Sequence, residues 1–242
     1  MQHVLSSMRK AIQLYNLIED GDRIAVGVSG GKDSLVMLKA LANFKKFGLV
    51  NYDIVAVTID NYNGTVDYSA LQQFCNELKV ELVIEQTDIH NIIFNIRKEK
   101  NPCSLCAKMR RGALNSVCNR LGCNKLALAH HKQDVVTTFF ISLLYEGRLS
   151  TMLPTSYMSN SKITLIRPLY LTEEKTITHA SKNTPVLKSI CPADKNSKRK
   201  DIKEFVQELE LKFPCCRKRI ERAILTPENY NLLNSIFPYD NK

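Results

Sequence analysis

No apolar run in this sequence approaches the ~18 residues that a membrane-spanning helix needs. The N-terminus mixes Arg9 and Lys10 into an amphipathic pattern and lacks the layout of a secretory signal. Both absences point to a cytoplasmic protein without a membrane partner. Internal repeats and low-complexity segments are missing too, and the balance of 44% hydrophobic to 24% charged residues excludes a disordered or fibrous chain. Acidic residues are in the minority, 24 Asp and Glu against 34 Lys and Arg, so the formal charge is +10 and a polyanion is the natural partner. What is present in quantity is cysteine. Eight cysteines in a cytoplasmic chain argue for thiols, metal ligands or redox chemistry before structural disulfides.

The 242 residues suffice for one sizeable core with appendages. Apolar residues recur at helical spacing from Val4 to Ile18, and Gly21 ends that helix. Arg23–Val28 is a short β-rich run, followed by Ser29-Gly30-Gly31-Lys32-Asp33-Ser34 and an apolar-periodic helix over Leu35–Phe47. Strands are expected at Tyr52–Ile59, Glu81–Ile84, Lys125–Ala129, Ile163–Ile166 and Val186–Ile190. Helices are expected over Val66–Leu78, from Lys108 to Leu121, up to Tyr145, and over Ser197–Phe213. Alternating strands and helices predict an α/β fold, a parallel sheet with helices on both faces. The expected division is an N-terminal helix (1–20), a main domain (21–190) and a helical C-terminal region (191–242).

Glycines directly after a buried strand let backbone N–H groups approach an anion, and the following helix adds its positive N-terminal dipole. SGGKDS is therefore a phosphate cradle or, more plainly, a tight glycine turn. A Walker A loop is excluded, because Asp33 follows Lys32 where Ser or Thr is required. The dinucleotide fingerprint is excluded by Gly27-Val28-Ser29.

A buried strand followed by SGGKDS resembles the PP-loop ATP pyrophosphatases, which transfer AMP to a carbonyl oxygen and release pyrophosphate. The resemblance implies Rossmann-like packing. It also implies that Ser29, Gly30, Gly31, Asp33 and Ser34 hold the pyrophosphate while Lys32 neutralises it. Asp33 beside phosphate calls for magnesium to bridge the two charges. Adenine is expected near Thr58–Asp60, with Thr58 and Asp60 as contacts.

Cys103 and Cys106 form a C-x-x-C in a loop before a helix, a spacing that suits zinc, a redox pair or a cluster. Zinc requires two further ligands, for which Cys118 and Cys123 are candidates, yet Cys118 shares a helical face with Leu114 and Leu121 and is expected in the core. Cys215 and Cys216, beside Arg217, Lys218 and Arg219, are expected at a solvated surface.

The stretch from Pro102 through Met109-Arg110-Arg111-Gly112, with Leu128-Ala129-His130-His131, Tyr145-Glu146-Gly147-Arg148-Leu149 and Ile166-Arg167-Pro168-Leu169, resembles the tRNA 2-thiocytidine biosynthesis family over roughly Arg23 to Asp194. That resemblance implies an ATP-dependent tRNA sulfurtransferase whose 4Fe-4S cluster is held by Cys103, Cys106 and Cys191, with one iron open to sulfide. A cysteine desulfurase or inorganic sulfide is the implied sulfur donor, and a homodimer is the implied assembly. Arg110 is a candidate cation for nucleotide or RNA phosphate, and His130 is placed at the carboxyl edge of the sheet where open α/β folds bind ligands.

Two departures stand out. The family pattern has two aspartates after the histidine pair, whereas this chain has Gln133-Asp134, so Asp134 alone keeps a carboxylate for magnesium or base activation. A second C-x-x-C around the third ligand is also absent, Asp194 taking the later position. The alternatives are the same activation chemistry on a tRNA uridine or a small-molecule carbonyl, and a non-catalytic ATP- or cluster-binding sensor.

Overall fold

The computed structural model describes residues 1–99, 102–187, 191 and 198–226. The chain runs α1 (Gln2–Tyr15), β1 (Asp22–Gly27), α2 (Lys32–Lys45), β2 (Tyr52–Asp60), α3 (Ser69–Leu78) and β3 (Glu81–Gln86). A short α4 (Ile89–Asn91) passes into a π-helical turn at Ile92–Ile96, followed by α5 (Pro102–Arg120), β4 (Lys125–Ala127) and α6 (Lys132–Glu146). Then come β5 (Thr155–Met158), β6 (Ile163–Ile166), α7 (Glu174–Ala180), α8 (Lys198–Lys212) and α9 (Cys216–Leu225).

The strands form one sheet in the order β3-β2-β1-β4-β6-β5. All neighbours are parallel except β5 on β6. The expected parallel sheet is thus present, with one antiparallel strand at its edge. β5 joins β6 by a short connection, and a connection that short permits only an antiparallel partner.

Period-two alternation in the strands sends side chains to two cores. Ile24 and Val26 of β1 face α1 and α2, while Ala25, with Val55, Val57 and Ile59 of β2, faces Leu114, Val117 and Cys118 of α5. Burial on both faces explains why these strands are nearly continuous apolar runs.

The chain forms two compact units, one of residues 1–133 and 152–196, the other of residues 134–151 and 197–242. The first holds the whole sheet. In the second, Val136 and Phe140 of α6 pack with Ile202 and Val206 of α8, and the Phe140 and Phe205 rings meet edge-on at 5.5 Å. Among the described residues no helix is long and apolar enough to cross a membrane.

Two expectations are corrected. Val186 and Leu187 are irregular, not a strand, because the Leu187 N–H donates to the Gly30 carbonyl at 3.0 Å and joins no ladder; residues 188–190 lie outside the described residues. The C-x-x-C is also not in a loop. Pro102 opens α5, where its missing N–H costs nothing, so Cys103 and Cys106 sit on the helix's first turns.

Candidate functional site

Strand order reverses beside β1: β2 and β3 lie to one side and β4 to the other. Carboxyl ends of the strands at such a reversal form the ligand crevice of open α/β sheets. SGGKDS follows β1 at this point, and His130 and His131 follow β4.

The loop is tied by its own side chains. Ser34 Oγ donates to the Gly31 carbonyl at 2.8 Å and accepts the Ser29 N–H at 3.2 Å. Gly30 has φ +78°, which a glycine adopts without strain, and Gly31 caps α2, a 14-residue helix whose first-turn N–H groups have no intrahelical acceptor. Leu187 covers Gly30 so closely that a Cβ there would lie 2.8–3.0 Å from its side chain.

Lys32 Nζ lies between two carboxylates, 2.8 Å from Asp33 Oδ1 and 3.1 Å from Glu174 Oε1. Burial pulls the Lys32 pKa down, but the two carboxylates outweigh it and the net shift is upward. The buried His131 has its Nε2 4.0 Å from Asp33 Oδ1. Gln133 Oε1 accepts the Glu174 N–H at 2.8 Å, and the Lys132 N–H donates to the Thr172 carbonyl at 3.1 Å. His130 is half-buried in the same β4–α6 connection.

Thr58 and Asp60 are buried at the end of β2. Thr58 Oγ1 donates to the Val28 carbonyl at 2.9 Å, which fixes the start of the SGGKDS loop. The Asp60 carboxylate accepts the N–H groups of Tyr62 and Gly64 and the Tyr68 hydroxyl, so it shapes the turn that carries Tyr62. Burial first, then Asp60, pushes the Tyr68 hydroxyl up to about 12. Tyr62 stacks on His90 at 4.8 Å, and His90 on Phe94 of the π-helical turn at 4.7 Å.

Tyr62 links the turn after β2 to the cysteines. Burial raises its pKa first, and the charges of Cys191 and Cys106 raise it further. Cys106 is raised by burial and by Cys191 and Cys103, while the Arg110 guanidinium one turn further along α5 opposes these. Cys103, Cys106 and Cys191 thus share one neighbourhood with Arg110. Among the described residues, though, no three Cys, His, Asp or Glu side chains converge to hold a single metal ion. Three thiols near one another are donors of the kind that an iron-sulfur cluster takes. Cys118 and Cys123 are buried against the sheet, and burial pushes the Cys118 thiol up to about 12, as for a core thiol.

Asp134 falls in the second unit, where Arg199 Nη1 is 3.7 Å from its Oδ1. Asp194 lies outside the described residues. Sequence reasoning missed Glu174 altogether. Its only sequence signal was a position shortly after the Ile166-Arg167-Pro168-Leu169 motif.

A PP-loop domain model matches residues 4–187. The chain is 36% identical over 235 residues to a tRNA-cytidine(32) 2-sulfurtransferase from Geotalea uraniireducens, covering 95% of this chain and 93% of that protein. It is 37% identical over 209 residues to the protein of that name from Bordetella avium, covering 85% of this chain and 66% of the relative. Among solved structures, the U34-tRNA thiolase NcsA from Methanococcus maripaludis, determined with its 4Fe-4S cluster, superposes with a TM-score of 0.73 at 24% identity over 94% of this chain and 80% of that one. That likeness is one of fold.

Proposed function

Because the chain belongs to the tRNA-cytidine(32) 2-sulfurtransferase family of PP-loop proteins, we propose that it adenylates the 2-carbonyl oxygen of a cytidine in tRNA and replaces that oxygen with sulfur. The observation that carries this reading is the union, in one compact unit, of the phosphate loop with Cys103, Cys106 and Cys191, the hydrogen bond from Leu187 to Gly30 bringing the chain onto the loop four residues before Cys191.

In this reading the carbonyl oxygen of the base attacks the α-phosphorus of ATP, pyrophosphate departs, and AMP stays on the oxygen as a leaving group. Gly30, Gly31 and the first-turn N–H groups of α2 cradle the pyrophosphate with Ser29 and Ser34, and Lys32 offsets its charge. Asp33, one-third exposed, is the carboxylate placed to share magnesium with phosphate oxygens. Thr58 and Asp60 act by shaping the loops around the nucleotide, and His130 lines the crevice. Asp134 carries the remaining carboxylate of the Gln133-Asp134 pair as the candidate base. Cys103, Cys106 and Cys191 would hold a 4Fe-4S cluster beside Arg110, whose charge suits an anionic group. When bound, the cluster supplies an iron site that carries sulfide to the activated carbon. The target is a single-stranded loop, since a base edge inside an A-form helix is out of reach. The sulfur comes from a cysteine desulfurase or inorganic sulfide, and the protein works in the cytoplasm, as a homodimer.

The test is anaerobic purification with quantification of iron, labile sulfide and zinc, for wild type and for Cys103→Ala, Cys106→Ala and Cys191→Ala. Thiolation of tRNA with ATP and sulfide is then followed by nucleoside mass spectrometry. About four irons and four sulfides per chain in wild type, lost in each variant, together with thiolated cytidine, is the expected result. Zinc in their place, or thiolation that survives loss of Cys191, sinks the cluster reading. ATP turnover indifferent to tRNA moves the substrate to a small-molecule carbonyl.

A further inference from the structure

Glu174 and Gln133 border the phosphate loop, yet nothing in the chemistry above uses them. We infer that Glu174 is a positioning residue for Lys32 and that Gln133 fixes Glu174 by capping α7; the inference rests on Lys32 serving the departing pyrophosphate. Lysine is a flexible stem with a compact charge, and holding it in one place costs entropy. Here Asp33 and Glu174, from two different helices, grip the same ammonium at 2.8 and 3.1 Å.

Glu174 is itself held. It is the first residue of α7, and Glu173 before it makes no side-chain cap, so the Glu174 N–H is a donor the helix cannot satisfy. Gln133 Oε1, from the β4–α6 connection, accepts it at 2.8 Å. The bond from Lys132 N–H to the Thr172 carbonyl fastens the same two segments one step further back. Where the family pattern has an aspartate, Gln133 brings a neutral acceptor on a side chain one methylene longer. That substitution is therefore suited to capping α7.

The consequence is kinetic. Charge builds on the pyrophosphate as it leaves, and a cation already in position stabilises that state without reorganising. Glu174 adds no attraction for ground-state ATP, being an anion beside anionic phosphates. Its loss is therefore felt in kcat and not in KM for ATP.

Two measurements test this: steady-state pyrophosphate release with ATP and tRNA, and the rate at which an amine-acylating reagent modifies Lys32 in the nucleotide-free protein, followed by mass spectrometry. Glu174→Gln is expected to lower kcat about 10- to 100-fold, leave KM for ATP within about threefold, and speed Lys32 acylation. Glu174→Asp recovers part of the loss. Gln133→Ala acts in the same direction to a smaller degree, and Gln133→Glu, which keeps an acceptor at that reach, restores most of it. A Glu174→Gln enzyme with unaltered kcat, a defect confined to KM, or Lys32 acylation indifferent to Glu174 overturns the inference. If wild type releases no pyrophosphate but Lys32 acylation depends on Glu174 and Gln133 as stated, the inference about holding stands and the reading of the function fails.

Discussion

Gly30 shows how much one side chain would cost. At φ +78° an L-residue is strained, and an alanine Cβ would also meet Leu187 Cδ1 at 2.8 Å, Cβ at 2.9 Å and Cγ at 3.0 Å. Leu187 cannot simply rotate away, because its Cβ is among the atoms met and its N–H is bonded to the Gly30 carbonyl. Gly30→Ala is therefore expected to destabilise the first unit by about 1–3 kcal/mol and to weaken ATP binding by tilting the loop. Urea unfolding and ATP titration check the two effects. Full ATP affinity in a destabilised variant would show that the strain is relieved at Leu187 and not in the loop. The neighbouring residues illustrate what the sequence can tell at this scale. SGGKDS after a buried strand was legible because glycine and serine chemistry is local. Glu174 was not, since it reaches Lys32 from 142 positions away and an exposed helix glutamate looks the same in sequence.

At the scale of elements, the α8–α9 corner depends on one carboxylate. Glu210 accepts the Cys215 N–H at 3.1 Å, the Arg217 N–H at 2.8 Å and the Cys216 thiol at 3.3 Å, and so does the capping that Cys215, in a left-handed conformation with no side-chain cap bond, leaves undone. The Arg217 amide and then the Cys216 thiol lower the Glu210 pKa below the usual carboxylate value. A lowered folded pKa means that this contribution is complete above the unfolded value and is lost as pH falls through the folded one. Hydrogen exchange at the Cys215 and Arg217 amides is expected to accelerate, relative to the intrinsic rate, on acidification below pH ~4, and in Glu210→Ala already at neutral pH. Protection that persists in Glu210→Ala would move the cap elsewhere. The same scale explains the misplaced element edges. The C-x-x-C was expected in a loop, yet proline at a first helical position is compatible with α5, and β5 is a four-residue polar edge strand with no apolar run to announce it. The long strands β1 and β2, buried on both faces, were legible because their pattern admits little else.

At the scale of the whole molecule, the +10 charge is the feature that composition announced first, and the second unit carries part of it on exposed faces. Ile220 and Ile224 turn α9 toward Val136 and Phe140, and this leaves Lys218, Arg219 and Arg222 exposed within one helical turn of each other. A loop of RNA bound for modification presents phosphates that these side chains suit, and each phosphate neutralised contributes about −0.7 to −0.9 to the slope of log K against log salt. Changing all three to glutamate is expected to weaken tRNA binding most at low salt and to flatten that slope by about 2, while ATP affinity, which belongs to the first unit, is unchanged. Filter binding across a salt series measures both the intercept and the slope. A slope that does not flatten would mean that tRNA is gripped by the basic residues of the sheet-bearing unit alone, and that α9 is an ordinary solvated helix whose charges serve solubility.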